Sequence, residues 1–198
     1  METILGRRSR DLDLTELNVR LANYNRVVLD LGTGDGRYVH HLADNFPRHF
    51  IIGVDSCREN LCEHSRAKLP NALFVIASAQ NMPCELNGLV SHITINFPWG
   101  SLLESLLHGD VNLMCGLAAI ARPNTTTDIR LNGGALAEAG TTLERGTVDI
   151  YTNMLKAGWQ LKDPVLMNNC ALQKYPTTWA RRIAHGRDPR AMQMSGHI

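Results

Sequence analysis

"RVVLDLGTGDGR", residues 26–37, reads as a buried strand running straight into a glycine turn. Val27, Val28, Leu29 and Leu31 form a nearly continuous apolar run, the pattern of a strand covered on both faces. Gly32, Gly34 and Gly36 let the turn adopt positive φ and bring bare backbone N–H groups against a ligand. "RYVHHLADNF" then reads as a helix, and "HFIIGVD" (49–55) as a second buried strand ending in Asp55, 19 residues beyond Gly36. A carboxylate at that place can accept both hydroxyls of a ribose.

The same alternation continues outward. "CRENLCEHSRAKL" reads as a helix, "ALFVIASA" (72–79) as a third strand and "SHITINF" (91–97) as a fourth. "LLESLL" and "DVNLMCGLAAIA" are helical in pattern with a break at Gly109, "TTTDIRLN" (125–132) is a fifth strand, and Gly158 closes the helix "TVDIYTNMLKAG". "WQLKDPVLM" and "RAMQMSGHI" are weaker strand candidates. This order predicts an α/β fold: a doubly wound, mostly parallel sheet with helices on both faces. We expect one domain over residues 1–198, with an N-terminal extension at 1–25 and a basic segment at 170–190. Such sheets bind ligands at the carboxyl ends of their strands, here just after residues 31, 55, 79 and 97.

Composition narrows the class. Hydrophobic residues make up 44% and charged residues 20%, ordinary for a globular chain and too apolar for a disordered one. No apolar run approaches the roughly 18 residues that span a bilayer. "METILGRRSRDLDL" lacks the apolar core of a secretory signal, so a cytoplasmic protein without membrane contact is expected. The five cysteines (Cys57, Cys62, Cys84, Cys115, Cys170) form no C-x-x-C pair and the eight histidines are dispersed, so no metal site is predicted. Net charge is +1, yet from Cys170 onward five cations face one acid, Asp188, a tail suited to a polyanion or to a merely solvated end.

A dinucleotide fold places its third glycine one position later than this chain does, where helix and strand pack closely. That position holds Arg37, which disfavours an oxidoreductase. G-x-G-x-G with Asp30 two residues ahead instead resembles the cofactor loop of S-adenosylmethionine-dependent methyltransferases, with their Rossmann-like class I fold. The resemblance implies that Asp30 lies near the methionine amine and that "ASAQNMP" reads the adenine through Ala79 and Gln80. Two plainer readings stand beside it: Asp30 capping the following turn, and Asp55 capping a helix at "SCRENL".

"NFPWG" (96–100) puts Trp99 at the mouth of the fourth strand, where a flat ring offers a stacking platform. "TTWARRIAHGR" (177–187) sets Trp179 among arginines, the composition of a nucleic-acid site, although an amphipathic helix burying Trp179 and Ile183 would look alike. "VVLDLGTGDGR", "IIGVD", "FVIASAQNMP", "NFPWGSLLE", "TTWARRIAHGR" and "SGH" together resemble the aminoglycoside-resistance 16S rRNA (adenine(1408)-N(1))-methyltransferases. The likeness spans about 26–108 and 177–197.

That resemblance implies methylation of N1 of the decoding-site adenine in the 30S subunit, with aminoglycoside resistance as the outcome. The cofactor is S-adenosylmethionine, the product S-adenosylhomocysteine, and no obligate protein partner is called for. A flipped adenine would lie between Trp99 and Trp179. Cofactor contacts fall on Asp30, Gly32, Gly34, Asp55, Ala79 and Gln80, with Asn96, Ser101 and Thr177 beside them. RNA contacts fall on Arg181, Arg182, Arg187 and Arg190.

The chain departs from the family in three places. "HSRAKLPNA" replaces a lysine-rich segment, "GRDPRAMQ" puts Asp188 and Pro189 where cations are expected, and Asn96 replaces an apolar residue. "NFPW" partly matches the N-P-P-(aromatic) element of adenine-N6 methyltransferases. Alternatives are therefore a methyltransferase for another RNA or a small molecule, and a catalytically weak cofactor- or RNA-binding homologue.

Overall fold

The computed structural model describes residues 1–186 and 188–198. Its central unit is β3 (Arg26–Leu31), α2 (Arg37–Asn45), β4 (His49–Asp55), the single turn α3 (Arg58–Leu61) and β5 (Ala72–Ile76). β6 (Val90–Asn96), α4 (Gly100–His108), α5 (Val111–Ile120) and β7 (Ala121–Asn132) follow. Two helices, α6 (Gly133–Glu138) and α7 (Leu143–Lys156), precede the short strands β8 (Gln160–Leu161) and β9 (Val165–Met167). The chain ends with α8 (Asn169–Lys174), α9 (Thr178–Ala184) and β10 (Ala191–His197). Residues 1–25, expected as an extension, form a hairpin of β1 (Glu2–Leu5) and β2 (Arg8–Asp11) and a helix α1 (Leu14–Leu21); β1 joins the sheet antiparallel to β5.

The sheet runs β2-β1-β5-β4-β3-β6-β7-β10-β8, with β9 also on β10. β5, β4, β3, β6 and β7 are parallel, as the strand–helix alternation requires. β3 has β4 on one side and β6 on the other, so strand order reverses there and a crevice opens beyond Leu31 and Asn96.

Side-chain alternation builds two layers. Val27, Leu29 and Leu31 face the larger core with Ile93 and Ile95 of β6, Ile129 and Leu131 of β7, and helices α1, α4, α5 and α7. Val28 faces the other side with Ile51 and Phe74 under Val39 and Ala43 of α2. On that second side the apolar layer stops at β3. Beyond it runs a polar row, in which Asp30 pairs across with Thr94, Thr94 with Asp128, and Asn96 with Arg130.

Four elements differ from expectation. The segment "CRENLCEHSRAKL" gives one helical turn and a 3₁₀ turn at His64–Arg66 rather than a full helix. Tertiary ties take over there: Gly6 N donates to Ser65 Oγ at 2.9 Å, and His40 Nε2 lies 2.6 Å from the His64 carbonyl. The third strand ends at Ile76, three residues early, because the chain turns to line the crevice. "WQLKDPVLM" splits into two short strands, both paired to β10. β7 starts at Ala121, and Arg122, Pro123 and Asn124 are exposed, with φ 64° at Asn124.

Candidate functional site

A cleft of about 650 Å³ lies at the strand-order reversal. Its floor is the glycine turn, where Gly32, Gly34 and Gly36 have φ of 70°, 58° and 78°. The three glycines serve different ends. A Cβ on Gly32 would meet Leu102 at 2.7 Å and one on Gly36 would meet Phe74 at 2.6 Å, whereas one on Gly34 would meet nothing within 4 Å. Space is thus left open only at Gly34.

Asp55, at the end of β4, braces this turn. Its Oδ2 accepts from Gly34 N and its Oδ1 from Cys57 N, both at 2.8 Å. Oδ1 also receives Asn60 Nδ2 at a long 3.5 Å, whereas Oδ2 keeps a further lone-pair site, since each carboxylate oxygen offers about two. The residue at the α3 N-cap is Cys57, so Asp55 does not cap that helix directly.

Asp30 is buried and caps no turn. Its Oδ1 accepts from Thr94 Oγ1 at 2.7 Å and from Asn96 Nδ2 at 2.9 Å. Its Oδ2 accepts no hydrogen bond among the described residues. Burial pushes its pKa up to about 6, opposed by the side chains of Thr33, Thr94 and Asn96 and by the charge of Arg130. The buried Thr33 hydroxyl, also in the cleft wall, lies near enough to favour the Asp30 carboxylate but makes no well-formed hydrogen bond among the described residues.

Asn96 is held from both sides. Its Oδ1 accepts from Tyr175 Oη at 2.8 Å and Arg130 Nη1 at 3.1 Å, so both acceptor sites are used. It cannot accept from the amino group of a base without breaking these bonds.

The backbone of "NFPWG" explains where Trp99 goes. Phe97 has φ 54°, a left-handed conformation costing on the order of 1–3 kcal/mol for a non-glycine residue. The twist buries its ring with Leu172 of α8 and Ala180, Ile183 and Ala184 of α9, which offsets the cost. Trp99 then emerges at the N-cap of α4, 40% exposed.

α9 supplies the opposing ring. Thr177 caps it, accepting from Ala180 N at 3.0 Å, and Thr178 Oγ1 donates to Asp35 Oδ2 at 2.8 Å, tying the helix to the glycine turn. Ile183 is buried, but Trp179 is 38% exposed with Arg182 5.2 Å over its ring, so the amphipathic-helix reading fails for Trp179. The Trp99 and Trp179 rings stack at 5.3 Å between centroids, 19° from parallel.

The cleft is lined by most of the predicted residues: Asp30, Gly32, Gly34, Asp55, Ala79, Asn96, Ser101 and Thr177, with both tryptophans. Gln80 is not among the lining residues. Its amide is drawn onto α4, donating to Ser105 Oγ at 2.7 Å and the Ser101 carbonyl at 3.2 Å. Arg181 and Arg182 are exposed and make no ion pair among the described residues. Arg190 is occupied, with Asp188 at 2.8 and 3.0 Å and Glu144 at 2.9 Å. Arg187 lies outside the described residues. Sequence reading missed Thr33, Asp35, Tyr38, Thr178 and Arg130; the first four adjoin motifs already singled out, while Arg130 has no local signal. No group of three metal-ligating side chains occurs among the described residues, nor a helix long and apolar enough to cross a membrane.

Comparison with known proteins gives a consistent result. The family model described as NpmA: 16S rRNA (adenine(1408)-N(1))-methyltransferase matches residues 2–198. The 16S rRNA (adenine(1408)-N(1))-methyltransferase of Escherichia coli is 29% identical, covering 100% of this chain and 99% of its own. Among solved structures, the 16S rRNA methyltransferase KamB superposes with a TM-score of 0.89 at 29% identity, covering 100% of this chain and 99% of that one. The aminoglycoside resistance methyltransferase NpmB1 gives 0.82 at 29%, covering 99% and 98%.

Proposed function

The chain belongs to the 16S rRNA (adenine(1408)-N(1))-methyltransferase family, and on that premise we propose how its cleft performs the reaction. It is an S-adenosylmethionine-dependent enzyme that methylates N1 of adenine 1408 in 16S rRNA, with aminoglycoside resistance as the outcome.

The cleft fits the cofactor by its own chemistry. The Oδ2 of Asp30, which accepts no hydrogen bond among the described residues, suits an ammonium, the spare lone pair of Asp55 Oδ2 suits a ribose hydroxyl, and the open space at Gly34 admits a ligand against bare backbone. Ala79 is left for the adenine edge, with Ser101 and Thr177 also lining the cleft. When bound, S-adenosylmethionine supplies an electrophilic methyl carbon on a sulfonium sulfur and leaves as S-adenosylhomocysteine.

The observation that carries the reading is the Trp99–Trp179 stack at the cleft mouth. A base between the rings needs two contact layers of roughly 3.5 Å each, so rings whose centroids lie 5.3 Å apart must part by at least about 2 Å. The tryptophans then hold the flipped adenine on both faces. N1 carries a lone pair at neutral pH and needs no general base. Its methylation leaves the ring cationic, and indole faces favour a cation. The chain's work is positioning and stabilising that developing charge. The saturated Asn96 Oδ1 supports N1 over N6 as the acceptor.

The docked partner is the 30S subunit, met in the cytoplasm. Arg182 lies against the Trp179 ring, Arg181 is exposed on the same helix, and a second basic group comes from an unexpected source. The β1–β2 turn is fastened to the 3₁₀ turn by Gly6 N to Ser65 Oγ, and Arg58 Nη2 donates to the Arg7 carbonyl at 3.1 Å. Arg7 and Arg8 thus join Arg66 and Lys68, all exposed and outside any ion pair among the described residues. They supply phosphate contacts where the lysine-rich segment is lacking.

The test is labelled-methyl transfer to isolated 30S subunits followed by nucleoside analysis. N1-methyladenosine is expected. N6-methyladenosine, or transfer to free nucleoside but not to 30S, would overturn the reading.

A further inference from the structure

The polar row on the sheet face raises a question of cost. Arg130 is 7% exposed, its Nε has no partner among the described residues, and its contact with Asp128 is a long 3.8 Å. A buried guanidinium paired so loosely is a poor stabiliser. Its better-made contacts lead elsewhere: Nη1 donates to Asn96 Oδ1, and the guanidinium lies 4.4 Å over the Tyr175 ring. The Tyr175 hydroxyl donates to the same Asn96 oxygen, and the ring stacks on Tyr38 at 5.5 Å.

An amide with two donors on its oxygen has its orientation decided. Turned over, it would put NH₂ against two donors and its oxygen against the Asp30 carboxylate. In the orientation held, Nδ2 reaches Asp30 Oδ1, where Thr94 also donates, and Oδ2 accepts no hydrogen bond among the described residues. Two donors on one oxygen fix the carboxylate's rotation as well as its charge.

We propose that Arg130 and Tyr175 are positioning residues for cofactor binding, acting through Asn96 to hold Asp30 with one oxygen presented to the cofactor ammonium. The inference rests on the reading of Asp30 as the ammonium's partner. Its reach is wider than one contact, because Tyr175 stands two residues before the Thr177 cap of α9 and packs edge-on against Phe97 at 6.1 Å. The same ring that steadies the cofactor carboxylate also abuts the helix carrying Trp179.

Tyr175→Phe isolates the hydroxyl, keeping the ring over Arg130 and against Phe97. S-adenosylmethionine affinity, measured by calorimetry on the whole protein, should fall three- to tenfold in this variant, with far-UV circular dichroism unchanged. In an Asn96→Leu background, itself weakened, adding Tyr175→Phe should cost nothing more. Equal losses in both backgrounds would mean that Tyr175 acts by another route and would overturn the proposal. So would unchanged affinity for Tyr175→Phe alone when Asp30→Asn weakens binding. If Asp30→Asn itself leaves affinity intact, the underlying assignment of Asp30 is what fails. Arg130→Met, which removes the second donor and a buried charge together, should weaken binding more than Tyr175→Phe does; a smaller effect would also count against the arrangement.

Discussion

The two walls of the cleft are built in opposite ways. The wall of the glycine turn and Asp55 is local: three positive-φ glycines, one carboxylate and two backbone N–H donors at 2.8 Å, all within residues 32–57. The wall of Trp99 and Trp179 is assembled from afar. α9 is held by a small apolar cluster around Phe97, by Thr178 on Asp35 and by the indole stack itself. A wall braced by short covalent spacing stays preformed. One held by a few long-range contacts can part by the distance a base requires, so cofactor binding and base binding should respond to different mutations.

The sharpest way to break that contrast is at the stack. Trp179→Ala should reduce methyl transfer to 30S roughly a hundredfold or more, with S-adenosylmethionine affinity changed less than threefold and the melting temperature little altered. Trp179→Phe should restore part of the rate, since base stacking contributes about 1–3 kcal/mol and a smaller ring keeps some of it. A folded Trp179→Ala enzyme with normal transfer would remove the basis for two separate walls.

Next in size is Asp30. Its carboxyl is pushed up from 3.8 to about 6, so between those values the folded protein binds a proton that the unfolded chain releases. The associated stability is present at low pH and is lost as pH rises through about 6. Asp30→Asn should therefore raise the melting temperature at pH 8, a gain that vanishes by about pH 4, while S-adenosylmethionine affinity drops at least tenfold. In the unmutated protein that affinity should climb as pH rises through about 6. Loss of melting temperature at pH 8 would show that the charge is better accommodated than its burial implies.

Smaller is the tie between the walls. Thr178→Val deletes one hydrogen bond to Asp35, of the kind that contributes about 0.5–1.5 kcal/mol, or more to a charged acceptor. Single-turnover transfer should slow about three- to tenfold with cofactor affinity nearly constant. If affinity fell instead, α9 would be serving the cofactor side.

Smallest is Arg190, whose guanidinium is already occupied by Asp188 and Glu144. Arg190→Ala should leave the salt dependence of 30S binding unaltered. Arg182→Ala or Arg7→Ala should flatten its slope by about one. A flattened slope for Arg190→Ala would mean that the ion pairs open on docking.

The alternating buried strands, the glycine turn and the terminal acids Asp30 and Asp55 were legible in the sequence, because each depends on periodicity or on neighbours a few residues away. The aromatic-bearing segments were legible as compositions, and it was the family resemblance, not any spacing, that paired Trp99 with Trp179. Only the tertiary structure decided that the two rings stack directly on each other, that Gln80 turns onto α4, and that Arg190 is spent on acids. It also placed Arg7 and Arg8 beside Arg66 and set Arg130 and Tyr175 on Asn96. These depend on which strands lie side by side and on a left-handed Phe97 that turns one ring inward and sends the next outward. Such contacts join residues whose separation along the chain leaves no periodic trace, so the physics that selects them acts only once the sheet has formed.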